Sequence, residues 1–96
     1  MIVMRKVRMN VQGRVQGVGF RYTTKMLADQ LGIHGAVWNE ADGSVGIEAT
    51  GSTEAMAKFI EGVKASPSPA GHVTYLDLTD DPMIKNRDSF EVTFGH

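Results

Sequence analysis

The stretch Val11–Arg21, VQGRVQGVGFR, carries an alternating apolar run into a glycine-rich turn and then into a helix with an arginine in its first turn. Gly13, Gly17 and Gly19 remove side chains where the backbone has to curl, because glycine takes positive φ and lets another group approach the main chain. Strand, glycine loop and helix start together form a concave set of backbone N–H groups. Such nests hold anions, phosphate above all, since unpaired N–H groups and the positive end of the helix dipole converge there. An arginine at position 21 is unwelcome at that end by roughly 0.3–1 kcal/mol. A bound anion reverses the sign.

Working outward, Val3, Val7, Met9 and Val11 alternate with polar residues from Lys6 to Gln12, the period of a half-buried strand, with Arg5 breaking the pattern near the end. Beyond the loop, Phe20, Leu27, Ala28 and Leu31 recur at helical spacing and Gly32 is a natural C-cap, so a first helix is predicted over 21–31. HGAVWN, 34–39, leads through Glu40-Ala41-Asp42-Gly43 into a third run, 44–50, with Val45, Ile47 and Ala49 alternating. The Asp-Gly pair suits a tight turn, and the two runs form a hairpin. Gly51-Ser52 is predicted to break the strand, with Ser52 capping a helix whose Met56, Phe59, Ile60 and Val63 make one apolar stripe. Two prolines in SPSPAG, 66–71, end it. HVTYLDLT, 72–79, is a fourth strand, DDPMIKNRD a solvated loop, and Phe90, Val92 and Phe94 alternate in a last one.

Strand, helix, strand, strand, helix, strand, with a C-terminal edge strand, is an α+β order. It predicts a ferredoxin-like two-layer sandwich: an antiparallel sheet with both helices on one face, strands one and three central and strand two toward an edge. That topology brings Asn39 near the glycine loop. One domain, 1–96, is expected at this length.

Composition removes several function classes. There are no cysteines, which excludes disulfides, a redox pair or a thiolate metal site. His34, His72 and His96 have no ligand spacing, and no metal or cofactor is expected. Ten basic and eleven acidic residues give a net charge of −1, which points away from nucleic acid, and the first and third strands lack the aromatics on which an RNA module stacks bases. The loop lacks the Gly-Lys-Ser or Gly-Lys-Thr ending of a P-loop. Charges near Met1 exclude a signal peptide and no apolar run approaches a membrane span, so a cytoplasmic monomer with no membrane partner is expected.

VQGRVQGVGFR at 11–21, LGIHGAVWN at 31–39 and DGSVGIEATG at 42–51 together resemble the acylphosphatase family. The likeness covers about half the chain, with a looser echo in FEVTF at 90–94. The resemblance implies hydrolysis of a carboxyl-phosphate mixed anhydride to a carboxylate and orthophosphate on this fold, without a metal. It further implies that Arg21 binds the phosphate with the loop amides of Gln16, Gly17, Val18, Gly19, Phe20 and Arg21, and that Asn39 positions the attacking water. Thr24 either supports the loop by hydrogen bonding or faces the sheet, and Lys25 is solvated. The alternative is a non-catalytic phosphate- or carbamoyl-phosphate-binding module, against which a chain ending at 96 argues. Two positions depart from the family pattern, Ala36 where tryptophan is usual and Trp38 where a basic residue is. Since 36 and 38 share one side of a strand, Trp38 is expected to fill surface vacated at 36. No stretch marks a pocket for the acyl part.

Overall fold

The computed structural model describes residues 3–94. The elements follow as β1 (Met4–Arg14), α1 (Phe20–Leu31), β2 (His34–Asn39), β3 (Val45–Ser52), α2 (Thr53–Lys64), β4 (His72–Asp80) and β5 (Phe90–Val92). The strands form one sheet in the order β4-β1-β3-β2-β5. Alternation along β1 and β3 turns Val7, Met9, Val11, Val45, Ile47 and Ala49 into the core, where the apolar faces of α1 and α2 close over them. Both helices therefore cover one face, as the element order requires.

The sheet is mixed rather than wholly antiparallel, because β5 runs parallel to β2 (Gly35↔Phe90, Val37↔Val92). The reason lies in the segment 81–89, a largely exposed loop, as expected, that is nonetheless pinned to the sheet. It crosses the helix-free face from one edge to the other: Asp81 N–H donates to Lys6 O at 3.0 Å, Lys6 Nζ to Ile84 O at 2.6 Å, and Gly35 N–H to Ser89 O at 3.0 Å. Ile84 is only 3% exposed beneath it. A chain that crosses in this way enters beside β2 in the same direction. Phe90 then anchors the short strand, packing edge-to-face on Phe59 with ring centroids 5.8 Å apart; full burial of such a ring is worth about 1.5–3 kcal/mol.

Two glycines act differently from the sequence reading, and a third acts as read. Gly13 lies inside β1 at a bulge against β4, where an added Cβ would stand 2.2 Å from His72 O, so its role is close strand pairing rather than the loop. Gly51 does not break β3, which runs on to Ser52; a Cβ there would meet the Ile33 side chain at 2.5 Å. Gly32 caps α1 as expected, at φ 71°, with Ile33 N–H bonding Ala28 O at 2.9 Å. Ser52 is both the last residue of β3 and the cap of α2, its Oγ accepting from Ala55 N–H at 3.1 Å.

Ala36 and Trp38 share the helix-free face, as expected, lining one cavity with Ile84. The Trp38 indole packs over Gly46, where a Cβ would come within 2.5 Å, and its Nε1–H donates to Glu40 at 2.9 Å. Val37 points the other way into the core.

Candidate active site

Val15, 1% exposed, pins the start of the loop to the core, and Gly17 (φ 75°) and Gly19 (φ 77°) turn the chain into α1. The loop has two of its carbonyls occupied. Ser68 Oγ donates to Val18 O at 2.6 Å, and Thr23 donates to Gly19 O through N–H at 3.0 Å and Oγ1 at 2.9 Å. Its amides are not. Among the described residues no acceptor serves the backbone N–H groups of Gln16 to Arg21. A helix start leaves four such donors, which a side-chain cap or an acid in the first turn ordinarily satisfies. Here the cap is Gly19, which has no side chain, and the first turn holds no acid.

Arg21 adds a cation at this already positive end. It is half-buried, donates from Nη1 to Thr93 O at 3.3 Å and lies over the Phe94 ring at 5.4 Å. Among the described residues it has no carboxylate partner. Phe94 was expected to continue the last strand. Instead β5 stops at Val92 and Phe94 is 92% exposed, turned against the guanidinium. A cation over an aromatic face gains about 0.5–1 kcal/mol at an exposed site, and the contact fixes the direction in which Arg21 reaches.

Asn39 closes β2 opposite Val45. Its Oδ1 is buried without a hydrogen-bond partner, an arrangement that costs about 1–3 kcal/mol. The neighbouring turn is held firmly. Asp42 accepts from Ser44 Oγ at 2.5 Å and from Ser44 N–H at 2.9 Å, and the Ser44 hydroxyl followed by its amide holds the Asp42 carboxyl below the usual range. The Gln16 side chain joins this turn to the loop, Nε2 donating to Glu40 O and Ser44 O, both at 2.8 Å. That clamp sets the distance between Asn39 and the loop amides.

All of this surrounds one open cavity of about 240 Å³, lined by Gly17, Gly19, Phe20, Arg21 and Asn39, with Val15, Tyr22 and Val92 completing its wall. Pockets for drug-sized ligands run to roughly 300–1,000 Å³, so this one suits a group the size of phosphate and part of what it is bonded to. A larger cavity of about 440 Å³ on the helix-free face lacks the loop, Arg21 and Asn39.

Of the residues singled out in the sequence, Gly17, Gly19, Phe20, Arg21 and Asn39 meet at the cavity. Gln16 contributes a strut through its side chain, and Val18 packs against the core. Thr24 is fully buried and its hydroxyl has no hydrogen-bond partner among the described residues, so it gives the loop no hydrogen bond. Lys25 pairs with Asp29 at 2.8 Å on the surface. His34 Nδ1 contacts Arg87 O at 2.9 Å, His72 begins β4, and His96 lies outside the described residues. Thr93 and Ser68 were not singled out, and no local signal marks them: each meets the site across more than 45 residues of chain, through one carbonyl contact.

Comparison with known proteins gives the family and the fold. A family model described as Acylphosphatase matches residues 7–92. An acylphosphatase of Enterococcus faecalis is 60% identical over 89 residues, spanning 93% of this chain and 98% of that protein. Among solved structures, an acylphosphatase from Bacillus subtilis superposes with a TM-score of 0.89 at 38% identity, covering 96% of this chain and 100% of that one. The full-length HypF structure in its phosphate- and nucleotide-bound form shares the fold at a TM-score of 0.87 and 24% identity, over 97% of this chain and 12% of that one.

Proposed function

The chain belongs to the acylphosphatase family, and we propose that its loop amides and Arg21 hold the phosphoryl group of an acyl phosphate while Asn39 holds the water that attacks it. The observation that carries this reading is the convergence, on one small cavity, of loop N–H groups without acceptors and a guanidinium without a carboxylate among the described residues, together with the Asn39 carboxamide. The first two demand an anion. The third can hydrogen-bond a water.

Hydrolysis converts the acyl phosphate and water to a carboxylate and orthophosphate. The water oxygen forms a bond to phosphorus, the bond from phosphorus to the acyl oxygen breaks, and its electron pair leaves with the carboxylate. Both protons of the water end on orthophosphate or solvent. The leaving carboxylate has a conjugate acid of pKa about 4–5, so no general acid has to protonate it. What remains is charge on the equatorial phosphoryl oxygens and the entropy of placing water. The amides of Gln16 to Arg21 meet the first need, and the Arg21 guanidinium adds two parallel, permanently charged donors. Asn39 meets the second: its carboxamide, at the cavity wall, hydrogen-bonds the water and so turns a lone pair toward phosphorus. It orients and does not act as a base.

The purified chain should convert benzoyl phosphate to benzoate and orthophosphate in a one-to-one ratio, with orthophosphate a competitive inhibitor and chelators without effect. Loss of turnover on adding a chelator would mean that a metal, and not the amide-guanidinium cradle, neutralises the phosphoryl charge.

A further inference from the structure

We propose that Tyr22 forms a specificity surface for the acyl group, giving the enzyme a preference for flat, apolar acyl phosphates over small ones such as acetyl phosphate. This rests on the phosphoryl-binding reading above. Once a phosphoryl group fills the amide end of the cavity, the remaining lining residues are Val15, Phe20, Tyr22 and Val92. Val15 and Phe20 are buried in the core, so Tyr22 and Val92 are what a bound acyl group would meet. Tyr22 is 64% exposed, its hydroxyl makes no hydrogen bond among the described residues, and it follows Arg21 directly on α1. A single exposed aromatic is ordinary. One that lines the cavity holding the cation and the water-binding carboxamide is positioned to touch substrate.

The direction of reaction agrees with this surface. In-line displacement puts the leaving oxygen opposite the attacking water. Asn39 comes from β2 and Tyr22 from α1, and on this proposal the carboxylate leaves toward the Tyr22 side of the cavity. An aromatic acyl group there gains an offset or edge contact worth roughly a factor of 2 to 10 in binding. An acetyl group offers no flat face for such a contact.

The test compares kcat/KM for benzoyl phosphate and acetyl phosphate in the wild type, Tyr22→Ala and Tyr22→Phe, with orthophosphate as inhibitor. The wild type should favour benzoyl phosphate by about tenfold. Tyr22→Ala should lower that ratio about fivefold through the KM for benzoyl phosphate, and Tyr22→Phe should keep it. An unchanged ratio in Tyr22→Ala, while orthophosphate still competes with both substrates, overturns the Tyr22 surface and leaves the phosphoryl site standing. Failure of orthophosphate to compete in the wild type overturns the phosphoryl site, and the surface with it.

Discussion

Arg21→Ala lowers kcat/KM for acyl phosphate hydrolysis by about 10² to 10³, the scale of losing one preorganised donor to developing charge, and it does so without unfolding the protein. Two opposing terms keep stability close to unchanged. The variant gives up the hydrogen bond to Thr93 O, a net contribution of about 0.5–1.5 kcal/mol. It also removes a cation from a helix N-terminus, relieving about 0.3–1 kcal/mol. Arg21→Lys should rescue little, because a point charge does not reproduce two parallel donors in a fixed plane. Steady-state kinetics beside a thermal melt check both halves. Near-wild-type turnover in Arg21→Ala refutes the assignment, and a collapse of the melt would make Arg21 structural.

Asn39→Ala produces the opposite signature in binding. Turnover falls by about 10²-fold, as for loss of a group that orients a reactant, whereas the inhibition constant for orthophosphate stays near the wild-type value, since the amides and Arg21 are untouched. The sign of the stability change adds a second test. The buried Oδ1 has no partner among the described residues, so removing it relieves a desolvation penalty, and Asn39→Ala should melt at or above the wild-type temperature. A residue that only closed a turn would lower it. Such a gain in stability with a loss of rate is what a site keeping an unsatisfied group for its substrate yields. If orthophosphate binding weakens in step with turnover, Asn39 belongs to phosphate binding instead.

Much of this fold is legible in the chain because two periods, two in the strands and 3.6 in the helices, survive wherever one face is buried. Val7, Met9 and Val11 declare β1, and Met56, Phe59, Ile60 and Val63 declare α2, by spacing alone. The turn at Asp42-Gly43 and the caps at Gly32 and Ser52 follow from local chemistry. What was not legible depends on distant partners. The segment 81–89 reads as polar, yet Lys6 takes Ile84 O and the crossing reverses the direction of β5. Phe94 fits a strand pattern until a guanidinium 73 positions away, at Arg21, draws it aside. The site divides in the same way. The glycines, Arg21 and Asn39 can be read from the sequence, because backbone curvature and residue type are local. The Gln16 strut and the Thr93 carbonyl cannot, because the first requires knowing that the hairpin turn lies beside the loop, and the second offers only a backbone oxygen.

The central claim is that the amides ahead of α1 receive a phosphoryl group, and the measurement that reaches it most directly is an orthophosphate titration followed by ¹H–¹⁵N spectra of the labelled protein. The backbone resonances of Gln16, Gly17, Val18, Gly19, Phe20 and Arg21 should move together along one saturable curve, joined by the Arg21 side chain. Saturable shifts gathered instead around Lys85 and Arg87 on the helix-free face, with the loop silent, would contradict the account.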